Sequence, residues 1–226
     1  MKKTFLTLFL LLFCVSTAHA VLLFSDDFNS GANPAWGNEL GDWSASGGVY
    51  DAASPNNNPL TYSSVTTFPS LTDFRVEVDV LGYNDGAIWL RSSDNNNGVL
   101  LVLGGFAGTH QGLYFHEVIG GTVSPVMSIG SIPNVQGTSG RAAAEVVGNT
   151  YKAYWNGSLI STFTTDKFPT GKVALFDNLN ETSYDNFALY NFLPAADQRS
   201  SSVPEPATIA LLASGLAGMA VRRRKR

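Results

Sequence analysis

Cysteine is almost missing from this chain: 226 residues include one, Cys14, within the first twenty. Disulfide scaffolds, zinc-thiolate sites and thiol catalysis are therefore excluded for the remainder, and stability has to come from a packed core. Charge is also scarce, at 14%. Positive charge is scarcest in the middle, where residues 21–203 hold seven basic residues (Arg75, Arg91, Arg141, Lys152, Lys167, Lys172 and Arg199) against seventeen acidic ones, a net −10. A surface of that sign does not neutralise a phosphate backbone, which excludes a nucleic-acid partner. Past the first twenty residues the histidines are His110 and His116, six apart in a glycine-rich stretch and read as surface loop or strand residues. No Gly-x-Ser-x-Gly and no His-x-x-x-His occurs, so nucleophilic-serine and zinc hydrolysis lack their residues. Also missing between Val21 and Leu193 is any long segment with apolar spacing of three and four.

What is present is concentrated first at the ends. Lys2 and Lys3, a mostly apolar run from Phe5 to Val15, and Ala18-His19-Ala20 form a secretory signal peptide with a small-x-small cleavage site, so cleavage is expected after Ala20. Lipidation at Cys14 is ruled out by bulky Phe13 before it. At the other end, Val203-Pro204-Glu205-Pro206 precedes fifteen mostly apolar residues, Ala207 to Val221, and the cluster Arg222, Arg223, Arg224, Lys225, Arg226. Fifteen helical residues span about 22 Å, short of a bilayer core of roughly 30 Å, so the run is a marginal transmembrane helix. The basic cluster is a membrane stop that stays cytoplasmic and places residues 21–202 outside the inner membrane.

Between the ends, Gly, Pro, Asn, Ser and Thr interrupt the chain every eight to twelve residues, the pattern of an all-β sandwich or barrel. Phe74 to Leu81 alternates Phe74, Val76, Val78 and Val80 with Arg75, Glu77 and Asp79, predicting a strand with one core face and one polar face. Ala87 to Arg91 and the continuous apolar run within Gly98 to Gly104 predict two more. Ala142–Val147 and Thr150–Trp155 are joined by Gly148-Asn149, and Asn156-Gly157 turns the chain into Leu159–Phe163, Asn-Gly being a strong hairpin signal. Asp94-Asn95-Asn96-Asn97-Gly98 has its glycine one place too early for an EF-hand and Gly105 where the loop needs its last ligand, so it is read as a tight Asx-rich turn.

The order of Pro-Glu-Pro, short helix and arginine cluster resembles the PEP-CTERM sorting signal of Gram-negative bacteria. The resemblance implies processing by an exosortase-type transpeptidase and delivery to the surface or to extracellular polysaccharide; a plain tail anchor is the alternative. Three segments of the middle resemble the laminin-G/concanavalin A-like jelly roll, a two-sheet antiparallel sandwich: Asp26-Asp27-Phe28 with Trp36, Trp43-Ser44 and Gly47-Gly48-Val49-Tyr50; Phe74 to Asp79 with Gly86 to Arg91 and Asp94 to Gly98; and Ala144 to Thr150, Trp155-Asn156-Gly157, Gly171 to Phe176 and Tyr184 to Phe187. The expected layout is a signal peptide at 1–20, a jelly-roll domain at 21–193, a linker at 194–202 and the sorting signal at 203–226.

Glycosidases of that family set a Glu and an Asp on alternate residues of one strand, followed by a Glu acid. Glu77 and Asp79 match the first part, but Leu81 and Gly82 stand where the acid belongs, and cleavage needs two carboxyl groups. The resemblance therefore implies a non-enzymatic, lectin-like or matrix protein, with a glucanase or keto-disaccharide hydrolase as the rival. Related carbohydrate-binding modules hold a structural Ca²⁺ between the first and last strands, which points to Asp26, Asp27 and Asp185; Asp185 equally suits a turn cap. For a glycan the candidate face carries Arg75, Glu77, Asp79, Trp89 and Arg91, an aromatic ring to stack on a sugar beside groups that bond hydroxyls. Alternation leaves open which of Trp89 and Leu90 points into the core. Asn156-Gly157-Ser158 and Asn180-Glu181-Thr182 match the glycosylation sequon, a coincidence in a bacterial chain.

Overall fold

The computed structural model describes residues 20–105 and 111–192. Residues 1–19 of the expected signal segment, His110, and the expected linker and sorting signal lie outside the described residues, whereas Ala20, the expected last residue of the signal, begins the first strand. Every regular element within them is a strand: β1 (Ala20–Asp26), β2 (Trp43–Ser46), β3 (Val49–Ala52), β4 (Ser63–Ser64), β5 (Phe74–Leu81), β6 (Gly86–Asp94), β7 (Asn97–Leu103), β8 (Gly112–Ile119), β9 (Thr122–Val123), β10 (Met127–Ser131), β11 (Gly140–Val147), β12 (Thr150–Trp155), β13 (Ser158–Thr164), β14 (Lys172–Asp177) and β15 (Ser183–Phe192). All pairings between them are antiparallel.

They form two sheets. One has eight strands in the order β13-β12-β11-β5-β15-β3-β2, with β1 also on β15; the other has seven in the order β10-β8-β7-β6-β14-β4, with β9 on β8. The alternation predicted for β5 is what orients the first sheet, since Phe74, Val76, Val78 and Val80 are fully buried while Arg75, Glu77 and Asp79 face out. Opposite them, Ile88, Leu90, Val99, Leu101, Leu103 and Phe115 of the second sheet close a single core between the layers. Each such side chain stabilises the fold by roughly 1.5 to 3 kcal/mol.

The second sheet is unusual in having little wet surface. Its outer face carries Ala87, Trp89, Leu100, Val102, Ala174 and Phe176, covered by Leu60 and Tyr62 of the β3–β4 connection. This second core explains the apolar run of β7: Val99, Leu101 and Leu103 serve the inter-sheet core, Leu100 and Val102 the outer one. Both faces of the strand exclude water, so its sequence has no polar alternation.

Turn chemistry fixes the register at the far edge of the eight-stranded sheet. Trp155 pairs with Ser158 across Asn156-Gly157, whose φ angles are +49° and +80°. A Cβ placed on Gly157 meets nothing within 4 Å, so the position demands glycine for backbone reasons alone. Gly157→Val is expected to cost on the order of 1 to 3 kcal/mol and to lower the thermal midpoint by several degrees; an unchanged midpoint would contradict the turn.

Candidate functional site

The five residues expected on one glycan-binding face are dispersed by the fold. Arg75, Glu77 and Asp79 stand together on the outer face of the eight-stranded sheet. Trp89 belongs to the other sheet and is fully buried in the outer core, its ring edge-on to Tyr62 at 5.8 Å and its Nε1 donating to the Thr61 carbonyl at 3.3 Å. It has no free face for a sugar. Arg91 has φ +47° at an irregularity in the β6 pairing, which takes its side chain out of the alternation. Its buried guanidinium donates to the carbonyls of Thr72 and Phe168 and lies over the Tyr151 ring. The expected aromatic anchor and one of its two cations are thus structural.

The remaining carboxylates are committed to cations. Arg141, opposite on β11, donates to Glu77 at 3.0 Å and to Asp79 at 2.7 Å, and Arg75 donates to Glu77 at 2.6 Å. Burial alone would raise the Glu77 carboxyl, but these hydrogen bonds and charges outweigh it and hold the group below the usual carboxylate range. Glu145 extends the lattice to Arg75 and Lys152, and Arg75 covers the Tyr154 ring at 5.0 Å. A general acid needs a raised carboxyl, the opposite of what Glu77 shows.

Strands β1 and β15 do run side by side, as the calcium expectation requires, with Asp26 opposite Phe187. The three acidic residues also accept local hydrogen bonds. Asp26 Oδ1 accepts the Phe28 N–H at 3.0 Å, and Oδ2 accepts the Asn33 N–H at 2.7 Å and Trp36 Nε1 at 2.9 Å. Asp27 and Asp185 accept the N–H groups of Asn29 and Asn186. Among the described residues no group of three or more His, Cys, Asp or Glu is placed to hold a metal ion. Asp26 staples the loop that seats Trp36 in the aromatic cluster of Phe24, Phe28, Tyr50 and Phe187. The Asp94–Gly98 segment is the expected Asx turn, Asp94 Oδ1 accepting the Asn96 N–H at 2.7 Å.

A concavity of about 470 Å³ is lined by Ser25, Asp26, Asp27, Asn186, Phe187 and Ala188. Sequence reasoning missed a second one, more apolar, on the other sheet. On the outer face of the seven-stranded sheet, cross-strand neighbours Val102 and Tyr114, with Leu100, His116 and Phe176, floor a groove of about 270 Å³. Leu60, exposed Asn57 and half-exposed Val123 and Val126 also line it, as does Asp85 of the β5–β6 turn. His116 Nδ1 lies 2.7 Å from the Ser124 carbonyl, which holds the ring upright, edge-on to Tyr114. Asp85 Oδ2 accepts Asn178 Nδ2 at 2.6 Å, and burial pushes its carboxyl up. Burial likewise raises the Tyr114 hydroxyl, with the charge of Asp85 adding to it. Alternation within β8, Tyr114-x-His116, is the one sequence signal that pointed here.

Residues 202–225 match the PEP-CTERM protein-sorting motif. That motif implies a secreted, surface-sorted protein, and the matched segment takes in Val203, Pro204, Glu205, Pro206 and the basic residues Arg222, Arg223, Arg224 and Lys225. No curated protein sequence matches the chain. Among solved structures, the carbohydrate-binding module CBM66 from Bacillus subtilis is similar at TM-score 0.53 and 20% identity, over 70% of this chain and 92% of that one. A Bacillus subtilis protein with a galectin-like fold gives 0.55 and 10%, over 77% and 97%. The catalytic domain of an endo-1,3-β-glucanase from Thermotoga petrophila gives 0.54 and 9%, over 79% and 100%. At such identities the likeness establishes the concanavalin A-like jelly roll and nothing finer. The fold of this sorted protein permits either a binding module or a glucanase.

Proposed function

We propose that the domain is a carbohydrate-binding module without hydrolytic activity, presented on the cell surface or in extracellular polysaccharide after exosortase processing and held in the inner membrane by its C-terminal apolar run until then. The observation that carries this reading is the groove on the seven-stranded sheet, where an apolar floor with an aromatic ring meets Asp85, Asn57 and His116. Sugars present one apolar face and a rim of hydroxyls, and a site of this composition matches both. Its volume sits at the lower end of ligand pockets, roughly 300 Å³, which suits a short stretch of sugar.

Hydrolysis is disfavoured by the count of carboxyl groups. Either stereochemical course needs two within about 5 to 10 Å of each other, flanking one bond. Asp85 is the sole carboxylate among the described residues of the groove, and Glu77 and Asp79 are ion-paired on the other sheet. A glycan array run beside a broad reducing-sugar assay tests the reading. Binding without released reducing ends is the expected result; release of reducing ends that survives Glu77→Gln and Asp79→Asn would mean that a hydrolytic site lies elsewhere in the chain.

A further inference from the structure

The groove has a definite electrostatic sign. Among the described residues lining it, Asp85 is the sole carboxylate and neither lysine nor arginine occurs. Asp85, at φ +55°, lines the groove and is 9% exposed. Its Oδ2 is taken by Asn178, whereas Oδ1 accepts no hydrogen bond among the described residues. An acceptor half-withdrawn from water and left with one open oxygen is unfavourable until a donor arrives. The surrounding domain adds the same sign, net −10 over residues 21–203.

We propose that Asp85 sets the charge class of the ligand: the groove takes uncharged glycan, whose hydroxyl donates to Asp85 Oδ1, and rejects uronate-bearing or sulfated polymers. This rests on the groove being the glycan site. A hydroxyl donating to a carboxylate forms a charge-assisted hydrogen bond, stronger than one between neutral groups. An anionic sugar in the same place would sit beside the charge of Asp85, and the described lining residues include no lysine or arginine to offset it, His116 being the one basic group among them; selection of this kind works through the repulsive element.

The test is affinity electrophoresis of the full chain in mild detergent, through gels containing dextran, laminarin or levan as neutral polymers and alginate or polygalacturonate as acidic ones. Wild type is expected to be retarded by at least one neutral polymer with an affinity tenfold or more above that for either acidic polymer. Asp85→Asn, a residue that tolerates positive φ and keeps the bond to Asn178, is expected to shrink that ratio about tenfold. Asp166→Asn, on an exposed turn with the same change in net charge, is expected to leave it alone. Acidic polymers bound as tightly as neutral ones, or a ratio equal in wild type and Asp85→Asn, would overturn the role of Asp85 while leaving the groove as a glycan site. Retardation by no polymer would overturn the glycan reading and this inference with it. The wild-type preference needs no substitution, so the proposal stays testable even where a variant is unstable.

Discussion

Trp89→Ala should lower the stability of the domain by about 3 to 5 kcal/mol, read as a shift of the urea midpoint. The indole is fully buried, packs edge-on against Tyr62 and donates to the Thr61 carbonyl, so its removal leaves a cavity and an unsatisfied acceptor together. Leu90→Ala should cost about 2 to 5 kcal/mol through a different core, between the sheets. Neighbours on a strand point to opposite faces, and both variants are severe because both faces of β6 are covered. A loss under 1 kcal/mol for Trp89→Ala would mean that the connection carrying Leu60 and Tyr62 does not seal the outer face.

Asp177→Asn should stabilise the protein at pH 8 and do little at pH 4. Asp177 closes β14 with no exposed surface, and its Oδ2 has no hydrogen-bond partner. Burial is the main reason that its carboxyl is pushed up to about 7; hydrogen bonds from the 178–180 turn pull the other way, and the charge of Asp51 adds to the rise. An unfolded aspartate titrates near 3.9. Below that value both states hold the proton and no penalty exists. Between about 4 and 7 the unfolded chain ionises while the folded one resists, so stability falls with rising pH; above 7 the penalty is complete. At about 1.4 kcal/mol per pH unit it reaches on the order of 3 to 4 kcal/mol, which the neutral amide removes apart from the cost of its own unpaired N–H. Thermal midpoints of the two proteins across pH 4 to 8 check this. Parallel curves would contradict it.

Legibility from sequence followed how local the determining physics was. β5 and β12 were readable to the residue because half-buried strands alternate, and the β12–β13 turn because Asn-Gly answers a backbone demand. The β7 run was readable as a strand, yet its deeper message, that a second layer covers the outer face, depends on Leu60 and Tyr62 some forty residues away. That same long-range packing buried Trp89. Arg91 was misplaced because a single positive φ takes its side chain out of the alternation, and a bulge of that kind has no signature in a run reading Trp-Leu-Arg-Ser. The groove draws on the turn before β6, on β7, β8 and β14, and on the loops beside them, so no contiguous motif announces it. Only the sorting motif, which acts as a linear signal, was complete in the sequence itself.

Glycan binding through the outer groove of the seven-stranded sheet, as proposed, is tested by comparing two substitutions on opposite faces. Val126→Trp fills the groove from a half-exposed rim position without adding charge, and Tyr154→Ala strips the ring beneath Arg75 from the eight-stranded sheet. Binding to whichever polymer retards the wild-type protein should weaken at least tenfold in Val126→Trp and stay within twofold in Tyr154→Ala. Binding lost in Tyr154→Ala and kept in Val126→Trp would place recognition on the ion-paired face and contradict the account.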